Sequence, residues 1–164
     1  MVCGFWWYRY DPESEQYVLL YNAWGDKGAF VAIASTRDPT KRDGWTRHGT
    51  VFPEDAKFEG WPGKSGSIVW MPGTGPHYII WGCAHELRIA PSIGRSLFKW
   101  DSSKAKPLFG VRKAPYFDTG FVESAMPPLV LSDGNLLFFH DSAGTWNHLS
   151  GFQAGWVVLD GAFL

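Results

Sequence analysis

An all-β fold assembled from repeated four-stranded units is what this sequence predicts, on three observations. Aromatic residues are abundant, with 10 Trp, 12 Phe and 6 Tyr in 164 residues, and they gather in short runs. Those runs are punctuated by 19 Gly and 11 Pro, so the apolar stretches have the length of strands, and helical periodicity is weak throughout. The runs also recur. Tyr-Val-Leu-Leu-Tyr ends at Tyr21, His-Tyr-Ile-Ile-Trp at Trp81 and Leu-Leu-Phe-Phe-His at His140, steps of 60 and 59 residues. The strands that follow the first two end at Ser35 and Ser92, a step of 57, and Trp45 and Trp100 come about ten residues after them.

A period of this size with four strands per unit is the pattern of β-propeller blades. In the first round, Phe5–Tyr10 and Gln16–Asn22 flank the polar turn Asp11–Glu15, where Asp11 reads as a turn former. Phe30–Ser35 is the third strand and Trp45–Phe52 the fourth, after a charged loop. In the second round the strands are Ser65–Met71, His77–Gly82, Glu86–Ala90 and a short Ser96–Trp100. The third comprises Met126–Ser132, Asn135–Asp141 and Gln153–Leu159. The blade-like units fall at about 1–55, 61–104 and 122–164 of a single domain. Propellers close with roughly four to eight blades, so about three blades predict a partial propeller. Its open edges call for further blades of the same protein or for self-association. A small sandwich, or a domain completed by another chain, is the alternative.

Composition narrows the partners. A net charge of −1 offers no electrostatic footprint for nucleic acid or an anionic membrane. No apolar run approaches the ~18 residues of a membrane-crossing helix, and the opening MVCGFWWYRYDPE does not read as a signal peptide. Cys3 and Cys83 are expected to be buried thiols rather than a bridge. Cys83, His85 and Glu86 lack further ligands at metal spacing, so no metal and no cofactor is expected.

The chemistry concentrates between Tyr116 and Trp146. Pro127 and Pro128 suit the start of a strand, where no ladder N–H is needed. Ser132–Asn135 is a turn, and Leu136–His140 is a dense apolar strand. In the resulting hairpin the start of one strand lies beside the end of the next. Glu123 is therefore expected to meet His140 and Asp141 at one edge of the sheet. A carboxylic acid, an imidazole and a second carboxylate converging there suit acid–base chemistry. Lys64, ahead of Ser65–Gly66–Ser67, is expected to join them as a point charge. Trp24 and Trp146, in loops after second strands, are candidate stacking platforms for a ligand.

Several segments together resemble the five-bladed β-propeller glycosidase superfamily of arabinanases, β-xylosidases, invertases and β-mannoside phosphorylases. RYDPESEQYVLLYNAW resembles a blade opening with an Asp-Pro turn and a Tyr-rich strand, and VAIASTRDPTKRDGWTRHG the strand pair after it. KSGSIVWMPGTGPHYIIWG is similar to the Lys-x-Gly segment of the mannoside phosphorylases. VESAMPPLVLSDGNLLFFHDSA resembles both their Pro-rich segment ending in Tyr-His and the Glu-Gly-Pro segment of the arabinanases. GFQAGWVVLDG resembles the strand that follows. The resemblance implies a glycoside hydrolase that cleaves the glycosidic bonds of oligo- or polysaccharides by acid–base catalysis in a central pocket. Glu123 would be the catalytic carboxylate, with His140, Asp141 and Lys64 as substrate contacts. The sequence departs from the family at Val2–Tyr8, which holds no carboxylate, after Trp81, where the phosphorylases' Arg is missing, and at Ala125–Met126, where the family has Gly and Pro. A non-catalytic sugar-binding or structural propeller is the alternative, and a glycoside phosphorylase a further one.

Overall fold

The structure is a computed structural model that describes residues 2–25, 28–52, 63–144 and 151–164. Among them every long element is a strand, and helix is confined to single 3-10 turns such as Arg42–Gly44 and Ser102–Lys104. The chain is all-β, and its strands pair antiparallel in three sheets that follow one another along the sequence.

The first sheet orders β1 (Val2–Asp11), β2 (Gln16–Gly25), β3 (Gly28–Thr36) and β4 (Thr46–Thr50) as a simple meander. Asp11 closes the first turn, its carboxylate accepting the Glu13 N–H at 3.2 Å and the Ser14 hydroxyl at 2.6 Å. An Asx-type turn of this kind fixes the hairpin register, Tyr10 opposite Tyr17. The second sheet orders β5 (Ser67–Val69), β6 (Tyr78–Trp81), β8 (Glu86–Pro91) and β9 (Lys106–Gly110). Its fourth strand differs from the expected Ser96–Trp100, which instead lies in the connection and contributes a lone bridge from Trp100 to Ser92. The real strand, Lys-Pro-Leu-Phe-Gly, carries a charge and a proline at its start. That composition hides a strand from a search for apolar runs, yet it is tolerated because β9 is an edge.

The third sheet is built on β12 (Leu136–Ala143), paired on one side with β13 (Gln153–Leu159). On its other side two short strands follow each other, β10 (Phe121–Ser124) and β11 (Leu129–Val130). The single strand expected at Met126–Ser132 is thus split. Met126–Pro127–Pro128 supplies too few ladder donors to pair, so the ladder breaks there. Glu123 and Ser124, expected ahead of the strand, lie within it.

One further strand ties the second sheet to the third. After β6 the chain kinks at Gly82 (φ +119) and Ala84 (φ +79), and β7 (Cys83–Ala84) leaves its own sheet to pair with β10. A Cβ on Gly82 would lie 2.7 Å from the Glu86 carbonyl oxygen, so the kink needs glycine both for its backbone angle and for space.

Strand alternation puts every second side chain into a core. Trp7, Val18, Leu20, Val31 and Ile33 of the first sheet pack on Ile68, Ile79, Trp81 and Ala90 of the second. The opposite face of the second sheet, Val69, Ile80, Leu87 and Ile89, packs on Val122, Leu136 and Phe138 of the third. The second sheet is therefore buried on both faces, which explains why Tyr-Ile-Ile-Trp reads as a continuous apolar run. Each such large side chain taken fully from water contributes about 1.5–3 kcal/mol.

Candidate functional site

The site forms where the three sheets meet. Register places Glu123 of β10 opposite Asp141 of β12, and Ser124 opposite His140. On its other edge β10 sets Glu123 opposite Cys83 of β7. Glu123 is thus clamped between two strands and is only 5% exposed. A buried carboxylate needs partners, and it finds them ahead of β5. The Lys64 ammonium lies 3.1 Å from Glu123 Oε1, and the Ser65 hydroxyl donates to the same oxygen.

The support for those partners comes from the neighbouring strands. The Ser65 N–H donates to Asn22 Oδ1 at 2.8 Å, from β2 of the first sheet, and the Gly82 N–H donates to the Lys64 carbonyl at 3.0 Å. Ser65 holds φ +64, an uncommon angle for a residue with a side chain. The surrounding bonds impose it, and it turns the hydroxyl onto Glu123. Next to it Gly66 packs so tightly that a Cβ would lie 2.8 Å from a methyl of Val31. Ser67 and Ser124 share a hydrogen bond of 2.8 Å, joining β5 to β10 just below the charged pair.

The electrostatics follow from burial and from the pair. Burial pushes the Cys83 thiol up to about 12, with the Lys64 cation opposing and the Glu123 charge adding to the rise. A thiol so displaced is not a nucleophile at neutral pH. Asp141 is raised above the ordinary carboxylate value, chiefly by burial and further by the negative charge of Glu123.

His140 has a different address. Its register partner is Ser124, so its side chain leaves the sheet on the face opposite to Glu123 and Asp141. It is 4% exposed, and its Nδ1 lies 2.5 Å from the Ser142 hydroxyl. The ring packs edge-on to Phe109 and parallel to Phe117. With Phe109, Arg112, Asp118 and Val157 it lines a separate cavity of about 200 Å³. There Arg112 Nε donates to both oxygens of the buried Asp118, at 2.9 and 2.8 Å. Burial is the main cause that lowers the His140 pKa, which keeps the ring neutral near pH 7.

Of the residues singled out in the sequence, the structure brings Glu123, Asp141 and Lys64 together and sends His140 to the other face. Trp24 lies on β2 two residues beyond Asn22, on the same face and partly exposed, which sets it at the side of the first sheet that reaches Ser65. Trp146 lies outside the described residues. Sequence reasoning missed Ser65, Asn22 and Cys83 as neighbours of the carboxylate. A signal existed for two of them: Ser65 adjoins Lys64, and Asn22 is the one polar residue ending the apolar run of β2. Among the described residues no group of three or more His, Cys, Asp or Glu is arranged to hold a metal ion.

No family model and no curated protein sequence matches the chain. Solved structures do. The chain superimposes on a glycosyl hydrolase from Bacteroides ovatus with a TM-score of 0.74 and 22% identity over 98% of its length, covering 48% of that protein. A candidate glycoside hydrolase from Bacteroides ovatus gives 0.70 and 26% identity over 96% of the chain and 51% of that protein. Another, from Parabacteroides distasonis, gives 0.68 and 24% over 90% of the chain and 47% of its own length. The chain therefore spans about half the length of these proteins, and it shares with solved structures described as glycoside hydrolases an all-β fold of antiparallel sheets.

Proposed function

We propose that the chain forms part of a five-bladed β-propeller of the glycoside hydrolase type, with each of its three sheets a blade, acting on the glycosidic bonds of an oligo- or polysaccharide. The observation that carries this reading is the enclosed Glu123, paired with Lys64 and Ser65 and facing a second carboxylate, in a fold shared with glycoside hydrolases. Hydrolysis of a glycosidic bond needs two carboxyl groups, one to protonate the leaving oxygen and one to assist the incoming nucleophile. Lys64 gives Glu123 a counter-ion at 3.1 Å inside the site. Trp24 is suited to stack on a sugar ring at the margin of the site, and Trp146 is proposed for the same role from its position in the sequence. His140 is proposed as a contact for a more distant part of the substrate, through the cavity it shares with Arg112 and Asp118.

The test is turnover of a panel of aryl glycosides, with sugar binding followed by calorimetry. Glu123→Gln should lower the rate by about 10²–10⁴-fold, the usual contribution of a general acid or base, and leave sugar binding largely intact. An unchanged rate would remove Glu123 from the mechanism. A second reading, sugar binding without catalysis, is favoured by one feature: the stretch Val2–Tyr8 of the opening strand holds no carboxylate. Binding without turnover would select it. A strict requirement for phosphate would instead identify a phosphorylase.

A further inference from the structure

We propose that the cavity between the second and third sheets is a carboxylate-binding subsite, and that the group it takes is the carboxylate of an acidic sugar. The proposal rests on the hydrolase reading for its carrier, a saccharide, and goes beyond that reading in naming the group bound. The cavity lies on the face of the third sheet opposite to Glu123 and measures about 200 Å³. Pockets that enclose a whole ligand measure roughly 300–1,000 Å³, so this one suits an end group whose carrier stays outside.

Arg112 is fixed in a way that leaves one edge for a ligand. Its Nε is held by both oxygens of Asp118, and its guanidinium carbon lies 4.0 Å from the centre of the Tyr116 ring. Its two Nη groups make no hydrogen bond among the described residues, and the side chain is half-exposed. A guanidinium held at Nε and on its face has its Nη edge free. That edge is a planar fork of donors, and it matches a carboxylate, which is planar and accepts at two oxygens. Asp118 offsets the charge of Arg112, so the ligand is held by directed hydrogen bonds more than by the field of a lone cation.

The rest of the lining decides between a carboxylate and a neutral hydroxyl. A sugar hydroxyl donates as well as accepts, so a site built for it offers groups of both kinds. Here the one lining carboxylate, Asp118, is 2% exposed and turned to Arg112. His140 is almost fully buried, yet its Nε2 makes no hydrogen bond among the described residues and is not sealed in the core. When the Ser142 hydroxyl donates to Nδ1, the ring proton sits on Nε2, which becomes a third donor. Phe109 and Val157 supply apolar wall and no side-chain acceptor. A cavity rich in donors and poor in reachable acceptors takes a group that only accepts.

The test is a titration of the intact chain with methyl glucuronoside, methyl glucoside and acetate. It follows the NMR signals of the Arg112 Nε–H and of the backbone amides of His140 and Gly155, which lie opposite each other on β12 and β13. The glucuronoside should shift all three signals and bind at least about 10-fold more tightly than the glucoside, the margin that a charged hydrogen-bonded group gives over a neutral one. Arg112→Lys keeps the charge and loses the fork, and should bring that preference within about 3-fold. Because Asp118 is costly to bury alone, a second variant, Arg112→Gln/Asp118→Asn, replaces the ion pair by a neutral one and should also lose the preference. Equal binding of glucuronoside and glucoside by the wild type, no binding of the glucuronoside, shifts confined to residues around Glu123, or a preference that survives in the double variant overturns the proposal. Acetate binding as tightly as the glucuronoside overturns its saccharide part. Turnover does not enter these measurements and Glu123 lies on the other face of the sheet, so the subsite and the hydrolase reading fail separately.

Discussion

Glu123 and His140 sit one register step apart in the same sheet, and they live in opposite surroundings. Glu123 points to the face where Lys64, Ser65 and Asp141 gather, so it is buried as an ion with a counter-ion at 3.1 Å. His140 points to the face that packs on the second sheet, so it is buried as a neutral ring among Phe109, Phe117 and Ser142. The lesson is that a polar cluster at the end of a hairpin is two clusters, sorted by strand parity. Residues whose positions differ by an odd count in paired strands do not share a site, however close the backbone brings them.

The largest effect should come from breaking the charged half of this comparison. Lys64→Met removes the cation from a carboxylate that stays buried, and a buried pair broken on one side costs about 3–5 kcal/mol. Urea denaturation should show that loss for Lys64→Met. The double variant Lys64→Met/Glu123→Gln should recover most of it, since no uncompensated charge remains. If the single variant loses less than about 1 kcal/mol, the pair is a solvated surface contact and the site is more open than its burial implies.

The neutral half breaks by crowding. Gly155 of β13 lies opposite His140, and a Cβ there would sit 2.5 Å from the imidazole and 2.8 Å from the Phe117 ring. Gly155→Ala should therefore destabilise by about 1–3 kcal/mol, the usual cost of overpacking. Pairing it with His140→Ala should return part of the loss, which a melting curve will show. No such rescue is expected from Asp141→Ala, because Asp141 faces away.

These two contrasts also mark what the sequence made legible. The strand runs, the repeat near 60 residues and the hairpin bringing Glu123 to Asp141 could be read because apolar spacing and turn residues write them directly. The face that His140 takes could not, because the prolines hid where pairing resumes. An error of one residue in register reverses every side chain. The partners of Ser65 and Asn22 were illegible for another reason, although both positions carry a local signal. Their roles arise between sheets, from a bond spanning 43 residues and a contact spanning 58, and no local pattern encodes such a distance. The edge strand Lys106–Gly110 was missed because an edge does not need to be apolar.

A smaller effect comes from pH. Burial lowers the pKa of His77 and of His140 below the ordinary histidine value of 6.5. The unfolded chain then binds more protons than the folded one below that value. Stability from both rings is fully present above about pH 6.5 and is lost as pH falls through their lowered values. Asp141 acts with the opposite sign. Its raised pKa makes the folded chain hold the extra proton, so its contribution is lost as pH rises through that value. Urea midpoints at pH 7 and pH 5.5 should show the wild type weaker in acid. His140→Asn should flatten the difference, and when the series is extended below pH 5.5 Asp141→Asn should make the further fall steeper. The reverse pattern would mean that the two residues do not occupy the environments described.

The smallest effect is expected on the face that Glu123 and Asp141 share farther along the sheet. Trp156 of β13 stands opposite Phe139 and, at 69% exposure, is far more open than any core residue. Leu129 and Val158 flank the same face and are also exposed. Trp156→Ser therefore removes little that folding has buried, and its cost should stay within about 0.5 kcal/mol, as for most surface substitutions. Measured at two protein concentrations, the midpoint should not move. A loss above about 2 kcal/mol that grows with concentration would show instead that this apolar face is covered in solution. The cover would then be a second chain, because burial of that tryptophan is the only way it could contribute so much. The contrast between an enclosed ion site and an open apolar face would in that case belong to the isolated chain and not to the assembled one.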